Sequence, residues 1–330
     1  RVTASILLSG LTLGALYFLV ASGLSLIFGL MDVLNFAHGV LFMIGAYVGF
    51  TAYANPRLIL NTLPFALALL GAAQIGRWLG GWLPPRLKSR RLDQGLLIAL
   101  FAVSLMLLVV ALRGFNLAPL VAATATATGG AVATALAQEP AAVYLPRILW
   151  LTVSGLLLGV ALSRVAAVEV RQKAHLSSAL VGLLLVGLAF ALIPLRTPLE
   201  TFLLGVSSNL RFVIALLAGL LAGAGLGALV ETSLIRPLYV RPIYQVLLTL
   251  GLSFVGTELV KAVWGTAGFY MDIPAFFNGS GDACPSPTLW SWFSDHCQSI
   301  LVLGRPFPSY RLFIIFLGVV IFIAVGLLLK

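Results

Sequence analysis

Nine long apolar runs divide this chain, and they constrain its fold more than any other feature of the sequence. Most of them have the roughly 18–25 residues with which an α-helix crosses about 30 Å of hydrocarbon. The strands of a membrane barrel would instead show about ten residues of alternating polarity, a pattern that this sequence lacks. We therefore predict an all-α fold, a polytopic transmembrane helical bundle. The predicted spans are residues 4–29, 39–55, 59–83, 94–112, 146–163, 177–195, 211–231, 243–264 and 311–329.

Two of these runs are shorter than the others. The second and the fifth run, at 39–55 and 146–163, are short enough to be tilted, broken or re-entrant helices. A further stretch, residues 118–137, is rich in Ala, Thr and Gly but only weakly apolar. We predict a loop or a half-buried segment there and do not count it as a span.

The scarcity of charge excludes the common classes of soluble protein. Charged residues make up 9% of the chain and hydrophobic residues 61%, whereas a typical soluble domain is about 25% charged. So few charges cannot cover a water-facing surface, which argues against a soluble enzyme, a disordered chain and a fibrous protein. The net charge of +10 resides mainly in short loops, so we interpret it as a cytoplasmic-side signal and not as a nucleic-acid interface. Alternation of the spans then places residues 265–310 outside.

That outer stretch contains both cysteines of the chain, Cys284 and Cys297. In an oxidising compartment they can form one disulfide, although two unpaired thiols remain an open alternative. The same stretch contains Trp290, Trp292 and Phe293, which we interpret as an aromatic anchor at the lipid headgroups. Docking of a partner protein is the alternative role for these rings.

The polar residues between the first two spans are candidates for function. Asp32, Asn35 and His38 are held close to the membrane, where polar groups must be buried in protein or line a cavity. A structural hydrogen bond and a direct ligand contact both remain open for the histidine.

The spacing of the glycines indicates how the helices pack. Small residues four apart let helix backbones approach closely in lipid, which offers no hydrophobic drive for association. Close packing is the favoured interpretation, and a substrate groove lined by these glycines is the alternative. The glycines concerned are Gly10, Gly14, Gly23, Gly219, Gly223 and Gly227.

Motifs for catalysis are absent from the sequence. It contains no G-x-x-x-x-G-K-[ST] phosphate loop, no H-E-x-x-H, no Cys-x-x-Cys and no aspartate-rich cluster. We therefore predict a non-enzyme with no catalytic residue, no metal site and no cofactor of its own. Every acidic residue lies in a loop or near the end of a predicted span, so we expect another subunit to supply the energy for any transport.

Three stretches of sequence resemble the membrane permease subunits of branched-chain amino acid ABC transporters, of which the urea-type permeases are close relatives. The first, residues 10–47, contains G-x-x-x-G-x-x-Y, N-F-A-H-G and M-I-G-A-Y in the order and spacing of the family. The second is Glu231 with I-R-P-L-Y at 235–239, although Thr232 stands where the family usually has arginine. The third is LLTLGLSFVGTELVKAVWG at 247–265.

The resemblance implies a function and the residues that serve it. It implies the permease subunit of an ATP-driven importer of branched-chain amino acids, or of a related small polar solute such as urea, in the plasma (inner) membrane. The expected partners are ABC ATPase subunits that hold ATP and Mg, a second permease subunit, an extracytoplasmic solute-binding protein and the bilayer. The expected functional region is Asn35, Phe36, His38 and Gly39, and the expected cytoplasmic loop contains Glu231, Arg236 and Pro237.

The resemblance also implies three regions along the chain. Residues 1–56 and 210–330 are expected to form the permease core, and residues 57–209 an inserted membrane segment with four spans. Because four is an even number, the insert leaves the relative orientation of the flanking segments unchanged. The family continues beyond the last span into a coupling loop that contacts the ATPase, so we expect this chain to be an N-terminal portion.

Two functions of other classes remain as alternatives. A stand-alone channel or ion-coupled secondary transporter would contain intramembrane ionisable residues or repeated half-helices. An intramembrane enzyme would need a larger cluster of polar residues at one membrane face than the sequence offers.

Overall fold

All nine predicted spans are helices in the computed structural model, and the prediction of an all-α polytopic bundle is confirmed. The structure describes residues 2–83, 90–115, 140–165, 176–239, 241–266, 269, 271–281 and 284–328. Within them, eight helices are long and apolar enough to cross a membrane, and a ninth is a shorter apolar helix. The nine helices are α1 (Val2–Met31), α2 (His38–Ala54), α3 (Pro56–Trp82), α4 (Arg90–Leu112), α5 (Ala141–Val165), α6 (Leu176–Gly205), α7 (Ser208–Val230), α8 (Pro242–Trp264) and α10 (Ser309–Leu328).

The two short runs differ in outcome. Helix α2 is indeed short, with 17 residues. Helix α5 has 25 residues, so the prediction that the fifth span is short was wrong. It begins five residues before the predicted start and passes through Pro146, which lies inside the helix and leaves one intrahelical hydrogen bond unmade. The weakly apolar stretch 118–137 lies outside the described residues.

Helix α6 continues ten residues beyond the predicted end of its span, through Pro194 and Pro198 to Gly205. Two charged residues follow the predicted end at residue 195: Arg196 and Glu200. Both are buried inside the helix bundle, with 3% and 4% of their surfaces exposed. The expectation that every acidic residue lies in a loop or near a predicted span end is therefore corrected, since Glu200 is within a spanning helix.

The contacts divide the chain into two compact units. The first unit comprises Arg1–Ala54 and Val206–Lys330, and the second comprises Asn55–Gly205. These boundaries fall within a few residues of those expected between the permease core and the insert. The described part of the second unit contains four helices, α3 to α6.

The second unit is built around α3. An added Cβ on Gly71 would lie 2.8 Å from the carbonyl oxygen of Gly182 in α6, and one on Gly76 would overlap the carbonyl oxygen of Leu156 in α5. Helix α3 therefore packs closely against two neighbours at once. Apolar and aromatic side chains fill the core of this unit: Phe65, Ala68, Ala111, Tyr144, Ile148, Leu151 and Ala189.

Polar groups tie the helices of the second unit together at one end. The guanidinium of Arg57 forms an ion pair with Glu200 at 2.6 Å. The guanidinium of Arg196 lies 3.6 Å from the ring centroid of Tyr144, and it donates to Asn61 Oδ1 at 3.2 Å. Charges inside a membrane protein are costly unless they are paired in this way.

The first unit contains two close helix pairs. Helix α2 packs along α7, and α1 packs along α10, where the Phe18 and Phe322 rings meet edge to face at 5.7 Å. Helix α8 contacts α2, and the Trp264 indole at its end donates to Thr51 Oγ1 at 2.9 Å.

A small folded segment, which we call the cap (residues 271–281 and 284–308), lies between α8 and α10. It contains the short helix α9 (Leu289–Asp295) and an antiparallel hairpin of β1 (Ser299–Val302) and β2 (Arg305–Pro308). Cys284 and Cys297 are joined in a disulfide, with their Cα atoms 5.5 Å apart. The cap is seated on the first turn of α10, because Ser309 Oγ donates to the Gln298 carbonyl at 3.1 Å.

The structure corrects the interpretation of one aromatic residue in this segment. Trp292 was expected to lie at the lipid headgroups, but it is 8% exposed and its indole donates to the Cys297 carbonyl at 2.8 Å. It packs beside Phe277 in the core of the cap. Trp290 and Phe293 are 87% and 61% exposed, and for them the anchor and the docking surface stay predictions.

Candidate functional site

The contact between α2 and α7 is a seam of glycines that faces a groove. An added Cβ on Gly45 would lie 2.9 Å from the Gly219 carbonyl oxygen, and one on Gly219 would lie 2.6 Å from the Gly45 carbonyl oxygen. A Cβ added to Gly49 would likewise lie 3.0 Å from the Ala215 carbonyl oxygen. Backbones can approach this closely only where neither helix has side chains at the contact. Sequence analysis singled out Gly219 but missed Gly45 and Gly49, which are also four residues apart.

A groove of about 830 Å³ follows this seam. Its walls are one face of α2 and one face of α7, and most of its lining is apolar. The few polar side chains of the lining are Asn35, His38, Glu231 and Tyr239. All four lie at the end of the groove where α2 begins and α7 ends, so one end is polar and the other is apolar.

Asn35 and His38 form the polar end on the α2 side. Asn35 is 8% exposed, and its Oδ1 accepts a hydrogen bond from the Ala37 N–H at 3.0 Å. Its carbonyl accepts from the His38 N–H at 3.1 Å, so Asn35 organises the turn from which α2 starts. Of the four residues expected in the functional region, these two line the groove. Phe36, which is 43% exposed, and Gly39 are not in its lining.

The imidazole of His38 lies against the backbone of α1 at Gly23. An added Cβ on Gly23 would lie 2.6 Å from His38 Cε1 and would overlap Nε2. The absence of a side chain at Gly23 therefore makes room for the ring. His38 is half-buried, and among the described residues we find no hydrogen-bond partner for its ring. Gly23 thus has a local partner, which the packing prediction for this glycine did not identify.

Glu231 and Tyr239 form the polar end on the α7 side. The phenol of Tyr239 donates to Glu231 Oε1 at 2.9 Å, across the π-helical turn Glu231–Ile235 and the 3-10 turn Arg236–Leu238, which contains Pro237. Burial, the hydrogen bond to Glu231 and the charge of that carboxylate raise the pKa of Tyr239, and Arg236 lowers it by less. π-helical turns often occur at functional sites.

The substitution noted at Thr232 has a structural account. The Thr232 hydroxyl donates to the Ala228 carbonyl at 2.7 Å, within its own helix, and so contributes no charge to the turn. Among the described ion pairs, none includes Glu231. The sequence analysis missed Tyr239 as a partner of Glu231, although the residue stands in the quoted I-R-P-L-Y motif.

Three large apolar side chains lie at the other end of the groove. Phe50 from α2, Phe212 from α7 and Met271 from the segment after α8 line it there. None of them was a predicted site residue, because an apolar side chain in an apolar sequence has no local signal of function. The aromatic pair Phe50 and Phe269, stacked at 5.0 Å, adjoins this end.

The remaining predicted packing glycines have different surroundings. Gly223 and Gly227 line the groove, and a Cβ added to them would lie 3.7 and 4.0 Å from atoms of Leu41, a looser contact than at Gly219. An added Cβ on Gly10 or on Gly14 would meet no atom of the described residues within 4 Å. Their assignment to helix packing stays a prediction.

This arrangement can hold a small amphipathic molecule. A concave, mostly apolar surface with a few polar groups at one end is typical of small-molecule binding sites. The apolar walls suit a hydrocarbon side chain, while an amide, an imidazole and a carboxylate–phenol pair suit polar or charged groups.

Comparison with known proteins agrees with the resemblance noted in the sequence. Residues 6–92 match the family model described as "Branched-chain amino acid transport system / permease component". The match includes α1, α2 and α3, so it runs beyond residue 56, where the permease-like first part was expected to end. No solved structure matches the chain.

Curated relatives match over a short part of their length. The chain is 37% identical over 70 residues to the "high-affinity branched-chain amino acid transport system permease protein BraD" of Pseudomonas aeruginosa, which is 21% of this chain and 23% of that protein. It is 38% identical over 68 residues to the protein of the same description, LivH, of Salmonella typhimurium, 21% of each chain. It is 46% identical over 46 residues to LivH of Escherichia coli, 14% of this chain and 15% of that one. The chain thus covers less than a quarter of these relatives, and the similarity to the branched-chain amino acid permease family lies within its residues 6–92.

Proposed function

We propose that this chain is the membrane-spanning permease subunit of an ATP-driven importer of branched-chain amino acids, or of a related small polar solute such as urea. The observation that carries the proposal is the groove along the α2–α7 seam. One of its walls, from Ile27 to Phe50, comes from the segment that matches the permease family.

The lining of the groove fits this class of solute. A branched aliphatic side chain gains from leaving water for the apolar walls, roughly 25 cal/mol for each Å² buried. The ammonium or amide group of the solute would lie towards Glu231 and Asn35, and its carboxylate towards His38. Urea would use the polar end alone.

The glycine seam supports a transport cycle. Alternating access needs two packings of similar stability, between which ligands shift the balance. Because Gly45 and Gly219 meet through backbone atoms, a small slide of α7 along α2 breaks few side-chain contacts. The groove would then open at one end or the other.

The proposed importer contains several other proteins besides this chain. ABC ATPase subunits hold ATP and Mg and bind the cytoplasmic side, a second permease subunit completes the pathway, and an extracytoplasmic binding protein delivers the solute. The complex resides in the plasma (inner) membrane with residues 265–310 outside. This chain itself catalyses no reaction.

The proposal is tested by co-purification from the native membrane followed by reconstitution. Mass spectrometry is expected to identify an ATPase subunit with a phosphate loop and a second permease. The purified complex in liposomes is expected to accumulate labelled leucine, or urea, only with ATP and binding protein. A complex in which the ATPase lysine of the phosphate loop is replaced serves as the matched control. Uptake that follows an ion gradient and ignores ATP contradicts the proposal.

One observation favours the second candidate, an ion-coupled carrier. Glu200 is a buried acidic residue within a spanning helix, paired with Arg57, and such residues mark ion pathways in many carriers. A carrier of this kind would lose ion coupling in the variant Glu200→Gln. In an ATP-driven importer, the same variant would keep the dependence of uptake on ATP.

A further inference from the structure

The short helix α9 of the cap has an exposed apolar strip along one side. The helix has seven residues, and three of its large apolar side chains are well exposed: Leu289, Trp290 and Phe293. At about 100° per residue, Phe293 lies between Leu289 and Trp290 around the helix axis, so the three side chains form one continuous strip. A continuous apolar patch on a folded surface marks a site of interaction.

The other sides of α9 fix the direction in which this strip points. Trp292 packs in the core of the cap, and its indole donates to the carbonyl of Cys297, which the disulfide holds in place. Ser294 and Asp295 are exposed and lie outside the strip. Helix α9 is therefore amphipathic, and it cannot turn its strip into the cap without pulling Trp292 out of the core.

The core of the cap lies level with one end of α10. The 20 residues of α10, at about 1.5 Å each, cover roughly 30 Å, which is the thickness of the hydrocarbon layer. Ser309, the first of them, therefore lies near the boundary between hydrocarbon and headgroups. From Phe313, one turn into α10, ring contacts of 5.4 and 5.7 Å lead through Phe277 to Trp292. Trp292, and α9 with it, is therefore within reach of the headgroup layer, which is roughly 5–8 Å deep.

The charged residues near this boundary agree with a lipid surface. Arg305 in β2 and Arg311 in the first turn of α10 lie on either side of Ser309 in the chain. Arginine side chains near the ends of spanning helices extend to the polar surface of the bilayer. Asp295, the acidic residue of α9, lies on the side of the helix opposite to the strip, so it brings no negative charge towards the lipid phosphates.

From this geometry we propose that α9 is an interfacial helix, and that Leu289, Trp290 and Phe293 insert into the headgroup layer of the bilayer. Tryptophan favours this layer because its ring is apolar while its indole N–H can bond to polar groups. The bilayer is the partner of the strip, and it holds the cap against the membrane in addition to the contacts of the cap with α10. This attachment is independent of the solute and of the transport function.

A fluorescent reporter on each side of α9 tests the attachment. The only two cysteines of the chain are joined in the disulfide, so an introduced cysteine is the only free thiol. Leu289→Cys places the thiol on the strip and keeps both aromatic rings, and Ser294→Cys, on the polar side of the same helix, is the matched control. The full chain is labelled with the fluorophore NBD in phosphatidylcholine nanodiscs. Its quenching is measured with a nitroxide on the lipid headgroup and, separately, with iodide in the water.

The two reporters are expected to differ in opposite directions. Quenching by the lipid nitroxide should be about threefold or more stronger at Leu289→Cys than at Ser294→Cys, because an interfacial helix buries its apolar side in the headgroup region. Iodide should give the reverse order. Adding Trp290→Ser and Phe293→Ser to the Leu289→Cys variant should weaken the lipid quenching and strengthen the iodide quenching. The protein without an introduced cysteine must stay unlabelled, which shows that the cap remains closed by its disulfide.

Equal lipid quenching at the two positions overturns the proposal, and so does stronger iodide quenching at Leu289→Cys. The strip would then face water, as expected if a partner protein were its occupant. Lipid quenching that is unchanged by Trp290→Ser with Phe293→Ser also overturns it, because the two rings would then not hold α9 in the bilayer. The measurement needs no ATP, solute or partner protein, so failure of the transport function leaves its outcome unaffected.

Discussion

The two units use the same device, close glycine contacts between helices, and reach opposite results. In the second unit, α3 is held between α5 and α6, and 44% of the residues in its most apolar stretch are buried by other described parts of the chain. In the first unit, the seam joins one pair of helices, α2 and α7. Only 11% of the residues in the most apolar stretch of α7 are buried in the same way. A glycine seam closes a bundle when it has a neighbour on each side, and it leaves a groove when one side stays open.

The two units also differ in how deeply their ion pairs are buried. Among the described residues, the second unit has two ion pairs: Arg57 with Glu200, whose side chains are 14% and 5% exposed, and Arg164 with Asp93, whose side chains are 4% and 20% exposed. The pair found in the described part of the first unit, Lys261 with Glu258, has side chains that are 47% and 71% exposed. The second unit therefore has the features of a fixed framework, and the first has those of a part that must rearrange.

The largest expected effect concerns the pairs Arg57–Glu200 and Lys261–Glu258. Glu200→Ala leaves a buried guanidinium without its carboxylate, and we expect a loss of about 3–5 kcal/mol of unfolding free energy. Glu258→Ala is the control, and because its pair is exposed we expect a change of about 0.5 kcal/mol or less. Both are measured by denaturant unfolding in lipid–detergent micelles. Equal losses would show that the contrast between the units is not energetic.

The glycines of the second unit give the next effect. Gly76→Ala forces a methyl group onto the Leu156 carbonyl, where backbone has to move, and we expect a loss of about 2–3 kcal/mol. Gly187→Ala, in the same unit, meets no described atom within 4 Å and is expected to be neutral or stabilising, since alanine favours helix by about 1 kcal/mol. Thermal unfolding of the two variants, side by side, measures the difference. A variant Gly76→Ala as stable as Gly187→Ala would contradict the close contact between α3 and α5.

Much of this fold could be predicted from the sequence, because helices in a membrane must satisfy their own backbone hydrogen bonds and so appear as long apolar runs. The ends of the helices were less predictable: α6 passes through Pro194, Arg196 and Glu200 because those charges find partners on α3 and α5. The sequence shows where a charged residue is, but it does not show which residue on another helix will pair with it.

The site was predictable only in part, for a related reason. Asn35 and His38 were conspicuous as polar residues in an apolar sequence, and Glu231 followed from the resemblance. Nothing in the sequence singled out Gly45, Phe50 or Met271. They belong to the groove because of the residues that face them, and some of those are more than 200 positions away in the chain.

A smaller effect is expected where the seam is one-sided. Gly219→Ala places a methyl group 2.6 Å from the Gly45 carbonyl oxygen, and since only 11% of the most apolar part of α7 is buried among the described residues, we expect a loss of only about 1–2 kcal/mol. Its effect on solute uptake should exceed its effect on stability, because the helices are pushed apart along the groove. Gly225→Ala, on the same helix with no described atom within 4 Å, is the control for both measurements. If Gly219→Ala destabilises as strongly as Gly76→Ala, the two seams are equally constrained and the comparison fails.

The smallest expected effect is at the polar end of the groove. Tyr239→Phe removes the hydrogen bond to Glu231 and keeps the ring, and because Tyr239 is 41% exposed, we expect a loss of about 1 kcal/mol or less. The pKa of Tyr239 is raised above its ordinary value of 10, so the contribution of this phenol is fully present below pH 10 and is lost as the pH rises through the folded-state pKa. The wild-type protein should therefore lose stability above pH 10 relative to Tyr239→Phe, and the two denaturation curves should converge there.

Tyr244→Phe, an exposed phenol of α8 outside the groove, is the control and should show no such convergence. Parallel curves across this range for Tyr239→Phe and the wild type would mean that the carboxylate–phenol pair does not hold the turn at the end of α7. That turn would then be free to move with α7, and the polar end of the groove would belong to the mobile part of the first unit.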